Sequence, residues 1–413
     1  MKQARSRYLF AANQARIVAV LCAILDSSVW IAAYRFSDFA ETGGTYFPLY
    51  YSAAVPCKLA VLLVFIGTVR LSNLRRIWPF YVPVVSVVLV SLLMGNSTLE
   101  GIVQPIGAIV SLLMTVAILS GENVTTYMKT FGVSCLLACA TFLFQLNFVP
   151  LNSSLGVWEA SGRYTFIFGT QPNLGGEVLF SGFVAFCIAR TSTMLLVALF
   201  VLYFVSLNYM ESRAALLSLL LAFSMSMYVD KIKDFTLGTK AAMVGAVLLL
   251  LFGFFILKHD RIADIFLLND EYRGAGSGFV GREDRWRAAW QTFVSFPVFG
   301  AGFNYFGREV ITPHSMWLGL LGMMGFMSVF VVVTIFKNGS RIYRTNTKTF
   351  FMLLSALPMT LFNDRVLNLN PYPFLFFVVL FLPRDALLGA IDKLPRRVRP
   401  GTAVRFGRHG LRV

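Results

Sequence analysis

Charge is what this sequence has little of: 14% of its 413 residues are Asp, Glu, Lys or Arg, and the acidic ones number only 20. A soluble domain of this length needs about a quarter of its residues charged to keep its surface in water, so a soluble globular class is excluded. Histidine is scarcer still, with three residues in the whole chain. Cysteine contributes five, Cys22, Cys57, Cys135, Cys139 and Cys187, each inside an apolar run. None is placed to bridge an external loop and none has metal-ligand spacing, so the thiols read as small hydrophobes rather than as a disulfide framework or a metal site.

What is abundant is apolar surface. Hydrophobic residues make up 57% of the chain, Phe alone contributes 40, and the mean hydropathy is +0.70. A segment must run about 20 apolar residues to cross roughly 30 Å of hydrocarbon. Such runs lie near 14–34, 50–69, 77–95, 101–120, 129–149, 172–190, 192–209, 213–229, 241–257, 314–336, 350–363 and 371–383. The expected fold class is therefore all-α integral membrane, with about 12 transmembrane helices. The first run is longer than a signal-peptide core, contains Asp26 and leads into further spans, so it reads as a retained helix.

The net charge of +16 would suggest a nucleic-acid binder if it were clustered on an aqueous face. Its distribution says otherwise. With a cytoplasmic N-terminus, 24 of the 36 basic residues fall in short inside loops and tails. They include Lys2, Arg5, Arg7, Arg75, Arg76, Lys231, Lys337, Arg341, Arg344 and eight in the tail from Arg384 to Arg412. Eleven fall outside, seven of them in one long loop where the bias has little force. The reading is N-in and C-in, and the basic tail (384–413) is explained by anionic lipid, with no nucleic-acid partner.

The organisation expected from this reading is helices 1–9 over 1–257, an external loop over 258–313, helices 10–12 over 314–383, and the tail. The external loop has 56 residues, neutral overall, and a connection of that length usually carries function. Its first part, KHDRIADIFLLND, and its last, GREDRWRAAWQTFVSF, both read as amphipathic helices joined by the Gly-rich GAGSGFVG. In the second, Trp286, Trp290 and Phe293 are expected on one face, with the helix ended by Pro297. Two helices lying on a membrane face would form a lid over a cavity.

Polar residues that the orientation rule does not explain gather on the outside. Arg163 lies in the 150–172 loop, Arg213 opens the eighth span, Arg282 opens the second lid helix, His314 starts the tenth span, and Arg365 follows the eleventh. An Arg at a membrane boundary can be a snorkelling anchor, and several converging on one cavity would hold a diphosphate through bidentate pairing. His314 can be a capping residue or a general base, since an unperturbed imidazole titrates near neutrality. Glu177 sits about one turn inside the sixth span, where a carboxylate is expensive; pairing with one of the arginines, orienting an acceptor and acting as base are the three roles open to it. Asp26 and Lys58 stand at matching depth in the first two spans and are expected to form a structural ion pair.

Four stretches in order resemble the bacterial O-antigen ligase and O-antigen polymerase superfamily, over roughly 160–380. SGRYTFIFGTQPNLGGEVLF carries Arg163, Gly169, Pro172 and Asn173; ESRAALLSLLLAF carries Ser212 and Arg213; GREDRWRAAWQTFVSFPVFGAGFNYF carries Arg282, Trp286, Pro297, Gly300 and Gly302; PHSMWLGLLGMMGFMSVF carries His314, Leu318 and Gly325. The resemblance implies a GT-C-like multispanning glycosyltransferase of the bacterial inner membrane, with a periplasmic site. Its implied donor is an undecaprenyl-diphosphate-linked glycan, its acceptor a glycan or lipid A-core, and its surroundings the membrane lipids.

The resemblance further implies Arg213, Arg282 and His314 as catalytic residues. Substrate binding would involve Arg163, Asn173, Glu177, Trp286 and Arg365. It implies inversion and no cofactor, and the absence of any Asp-x-Asp pair agrees with metal independence. Ligase and polymerase both stay open, with a lean to ligase: a polymerase-type Arg and Gly ten residues apart is missed, because Leu174 stands ten after Arg163 and Gly175 is one too far. A secondary transporter of two six-helix halves would need its long connection after the sixth span, and here the junction at Arg190 and Thr191 is almost nil. An oligosaccharyltransferase would need acidic metal ligands in an external loop, and isolated Asp38 and Glu41 do not make that set.

Overall fold

Every residue from Gly175 to Cys187 is buried, so the helix they belong to has no face left for lipid. A helix that is apolar all round packs at the centre of a bundle, and the rest of the architecture is arranged around this one. The computed structural model of the chain describes residues 2–27, 49–65, 71–93, 109–110, 113–116, 118, 121–151, 158–160, 163–165, 172–189, 191–232, 282–302, 315–362, 371–382 and 387.

The helices are α1 (Lys2–Ser27), α2 (Leu49–Val64), α3 (Leu71–Leu93), α4 (Gly121–Phe148), α5 (Pro172–Ile188), α6 (Thr193–Tyr209) and α7 (Arg213–Ile232). After the undescribed stretch come α8 (Arg282–Ser295), α9 (Met316–Met324), α10 (Ser328–Thr345), α11 (Thr347–Leu354), α12 (Leu357–Phe362) and α13 (Pro371–Leu380). The central α5 packs against α4, α6, α7, α11 and α13, while α1 packs along α4.

The outer helices show the pattern that a lipid solvent imposes. On α4 the buried positions Val124, Tyr127, Met128, Phe131, Cys135, Ala138 and Phe142 recur at helical spacing, and the opposite face exposes Val133, Leu137 and Phe144. Both faces are apolar, which in water would be an aggregation surface and in a bilayer is the ordinary state. Among the described residues two helical stretches, Asn123–Phe148 and Met316–Thr345, are long and apolar enough to cross a membrane, and there are shorter apolar helices besides. The chain is an integral membrane protein. The count of about twelve spans goes beyond this, because 241–257 and much of 101–120 lie outside the described residues.

The elements differ from the sequence reading in several places. Helix α1 begins at Lys2, well before the apolar run at 14, because helical hydrogen bonding continues through a polar segment that hydropathy does not register. The tenth span is not one helix: α9 ends at Met324, a 3-10 turn covers Gly325–Met327, and α10 continues to Thr345. The eleventh is likewise divided at Ser355 and Ala356 between α11 and α12. The all-α expectation is modified by a two-stranded antiparallel hairpin in the 150–172 loop, β1 (Trp158–Ala160) with β2 (Arg163–Thr165), in the register Ala160↔Arg163. Trp, Tyr and Thr on either side of Ser161-Gly162 form a hairpin signal that an all-helical reading passes over.

The expected ion pair is present. Lys58 Nζ of α2 lies 2.5 Å from Asp26 Oδ1 of α1, and Tyr127 of α4 donates its hydroxyl to Asp26 Oδ2 at 2.7 Å. Lys58 is fully buried and Asp26 is 6% exposed, so three helices are pinned at one depth by one carboxylate. Removing one partner of a buried pair leaves an uncompensated charge, whereas replacing both with apolar groups is close to neutral. Lys58→Met alone should therefore cost about 3–5 kcal/mol, and Asp26→Leu with Lys58→Met should recover most of it. Thermal unfolding of the detergent-solubilised protein checks this; an equally unstable double variant would refute the pairing as the cause.

Candidate functional site

The sequence-predicted residues fall into two structural groups. The first gathers at the start of α5 and the α6–α7 turn. Asn173 is the second residue of α5 and Glu177 lies just over one turn further, 1% exposed. Gly176, between them, is the point of closest approach. A Cβ there would overlap Ser212 Oγ and come within 2.9 Å of the Ala215 Cβ. Only a residue without a side chain lets the α6–α7 turn settle onto α5 at this height.

That turn is tight. α6 ends at Tyr209, Ser212 donates its N–H to Leu207 O at 3.3 Å, and α7 begins at Arg213. Glu211 takes φ +49°, a left-handed conformation uncommon outside glycine, which makes room for so abrupt a reversal. Ser212 is 2% exposed and Arg213 is half-buried. The hairpin joins them: β2 packs on α5, and Tyr164 meets Tyr209 edge to face with centroids 6.0 Å apart. Arg163 opens β2, one residue before Tyr164. The backbone thus brings Arg163, Asn173, Glu177 and Arg213, from three separate sequence stretches, to one end of the α5–α6–α7 unit.

The second group is α8 and the glycine-rich turn after it. Arg282 is the first residue of α8, and Trp286 is half-buried one turn on. The buried face of α8 runs through Trp286, Ala289, Thr292 and Phe293, with Phe293 edge-on to Phe326 at 5.3 Å. Trp290 stands only about 40° from Trp286 at 100° per residue and meets the Phe293 ring with centroids 5.3 Å apart, so the three share one face. Trp290 lies at its edge, 52% exposed.

The turn after α8 is clamped onto the break between α9 and α10 by backbone hydrogen bonds. Ala301 N–H donates to Gly322 O at 2.9 Å, Gly302 N–H to Met323 O at 3.1 Å, and Phe326 N–H to Pro297 O at 2.8 Å, while Gly300 N–H closes the turn on its own Phe296 O at 3.0 Å. Three glycines make this possible. Gly300, Gly302 and Gly325 have φ of +71°, +84° and +57°, and a Cβ on Gly300 would overlap the Met323 carbonyl. Gly302 lies against α3, where a Cβ would be 2.7 Å from Ser91 Oγ. Pro297, Gly300, Gly302 and Gly325, which the sequence presents as parts of two separate motifs, are therefore halves of one joint.

Because α8 packs along α9 and their C-terminal ends meet in this joint, the two helices run side by side in the same direction. Their N-termini, Arg282 and Met316, lie on the same side of it. α12 links the two groups by packing on both α7 and α9. His314 and Arg365 lie outside the described residues, as does the first lid helix expected over 258–270. Sequence reasoning missed Gly176 as a contact point, Ser91, and the hairpin; of these, only the hairpin left a local signal.

Residues 198–333 match the family model described as O-antigen ligase. That span contains the α6–α7 turn, α8, the glycine joint and α9. No curated protein and no solved structure matches the chain. The joint makes a direct prediction. Gly300→Ala should lower the midpoint of thermal unfolding in detergent, since the left-handed backbone costs an L-residue about 1–2 kcal/mol and the overlap is with backbone that no rotamer change relieves. Ala301→Gly, whose native N–H already bonds to Gly322 O, should leave the joint formed; equal loss from both variants would count against the steric account.

Proposed function

We propose that this integral membrane protein, whose residues 198–333 match the O-antigen ligase family model, transfers a glycan from undecaprenyl diphosphate to an acceptor sugar hydroxyl, in the manner of an O-antigen ligase. The reaction takes place on the periplasmic face of the bacterial inner membrane, with both termini in the cytoplasm and about twelve helices spanning the bilayer. The observation that carries the reading is the seating of the Ser212–Arg213 turn, inside the matched span, against Gly176 beside Glu177 and the Arg163 hairpin. Two basic residues, Arg163 and Arg213, stand there on backbone segments that pack at one end of the α5–α6–α7 unit, which supports an anionic lipid-linked substrate.

The chemistry follows from the leaving group. The acceptor oxygen attacks C1 of the donor sugar, the bond from C1 to the diphosphate oxygen breaks, and undecaprenyl diphosphate departs with inversion. The developing charge falls on phosphate oxygens, so the main demand is for positive groups already in place. Arg213 and Arg282 meet it, with Arg163 and Arg365 holding the diphosphate and glycan. With no Asp-x-Asp pair in the sequence, guanidinium groups take the neutralising role a divalent ion fills elsewhere. His314 accepts the proton of the attacking hydroxyl. Glu177 holds an arginine in position from within α5, and Asn173 and Trp286 contact the substrate.

Arg282→Ala and His314→Ala should each reduce glycan transfer by about 100-fold or more at unchanged membrane levels. Wild-type transfer in either variant removes that residue from the mechanism. Deleting the gene and resolving surface polysaccharide on a gel separates the classes. Loss of all capped lipopolysaccharide supports the ligase reading, and a ladder collapsed to one repeat unit replaces it with polymerisation. Unchanged glycan with altered uptake of a small solute would refute both.

A further inference from the structure

The joint between α8 and the α9–α10 break has a consequence for where α8 sits in the bilayer. α9 and α10 together form the apolar stretch Met316–Thr345, and its first charged residue is Lys337. From Lys337 back to Gly325 is twelve residues, or about 18 Å at 1.5 Å per residue. If Lys337 snorkels and Arg341 marks the boundary instead, sixteen residues cover about 24 Å. Either length falls short of the roughly 30 Å hydrocarbon thickness, and helix tilt shortens it further. Gly325 and the turn clamped to it lie inside the hydrocarbon by this measure, about 6–12 Å below the far boundary.

Irregular backbone survives at that depth only where the protein satisfies its polar groups. The joint does so: Gly300, Ala301, Gly302 and Phe326 all donate their N–H groups to carbonyls of Phe296, Gly322, Met323 and Pro297. The side chains agree with the depth. Val294, Val298 and Phe299 are 61%, 54% and 51% exposed, an apolar flank. Phe326, which donates its N–H to Pro297 O, opens the exposed row Phe326, Val329, Phe330 and Val333 of the spanning stretch, exposed at 58%, 50%, 51% and 56%. Higher on α8 stands Trp290, 52% exposed, about 10 Å above Pro297 by helical rise. Above it come the charges Glu283, Asp284 and Arg287, all exposed. Charge outside, Trp at the interface and aliphatic residues below is the order that a bilayer imposes along a segment entering it.

We propose that the C-terminal half of α8 and the turn Pro297–Gly302 form a re-entrant arm whose Val294, Val298 and Phe299 flank contacts the acyl chains of the leaflet that α9 enters. The occupant of this surface is lipid, because the flank stands on the turn bonded to Phe326, where the exposed apolar row of a membrane-crossing stretch begins. This rests on the integral-membrane assignment and not on the glycosyl-transfer chemistry, so it stands or falls separately. It replaces the picture of a lid helix resting on the membrane with one wedged into it and locked there by glycines.

The test places a nitroxide at Val298→Cys and, separately, at Phe299→Cys, in a Cys57→Ser background. The other four native cysteines are buried in the bundle. In vesicles of phosphatidylethanolamine and phosphatidylglycerol, power saturation compares accessibility to oxygen, which partitions into hydrocarbon, with accessibility to a water-soluble nickel chelate. Both positions should match Val333→Cys, with oxygen accessibility well above nickel, and Arg287→Cys should show the reverse. Higher nickel than oxygen accessibility at the two sites would overturn the arm in favour of an aqueous loop. Low accessibility to both reagents would overturn it in favour of burial against protein.

Discussion

Lipid cannot replace the hydrogen bonds that water offers, and the structure depends throughout on that constraint. Each polar group inside the apolar layer has to find its partner within the chain. The commonest solution is local. Ser206, Thr334, Ser328 and Thr360 donate their hydroxyls to carbonyls three or four residues back on their own or the adjoining helical turn, at 2.6–3.0 Å. The second solution is pairing across helices, as Asp26, Lys58 and Tyr127 do. The third is the backbone clamp at Gly300–Gly302, where a non-helical turn borrows the carbonyls freed by a broken helix.

The third solution explains why the tenth span is divided. A continuous helix from Met316 to Thr345 would keep the carbonyls of Gly322 and Met323 within its own ladder. Ending α9 at Met324 and turning through Gly325–Met327 releases them for Ala301 and Gly302. The break and the clamp are one feature seen from two chain segments. Its effect is positional: α8, which starts with Arg282, is held beside α9, which starts two residues after His314 in sequence. Under the proposed reaction, residues that serve a developing charge must be in place before it begins, and a rigid joint supplies that more reliably than a swinging loop.

Gly176 and Ser212 perform a parallel service for the other group. Close approach of α5 and the α6–α7 turn sets Glu177 and Arg213 on neighbouring backbones deep enough to be shielded from water, where electrostatic interactions are strong. The hairpin, tied to α6 through Tyr164 and Tyr209, completes the cluster with Arg163 at its edge. In both groups, small residues decide where the charged ones can stand.

Much of this was legible beforehand. Class, approximate spans and the segregation of basic residues follow from composition and periodicity, because crossing hydrocarbon demands long apolar runs whatever the tertiary arrangement. The Asp26–Lys58 pair could be read from matched depth, since a charge in lipid must have a partner and few were on offer. The glycines after Pro297 could be noticed, and so could Gly325. What the one-dimensional pattern could not decide was that they meet. Close approach of two backbones leaves no periodic trace, and a helix break inside an apolar run looks like a continuous span to hydropathy. Which polar residues the chain had to pair was set by the sequence; which partners, at what height and across which glycines, was decided only when the helices packed.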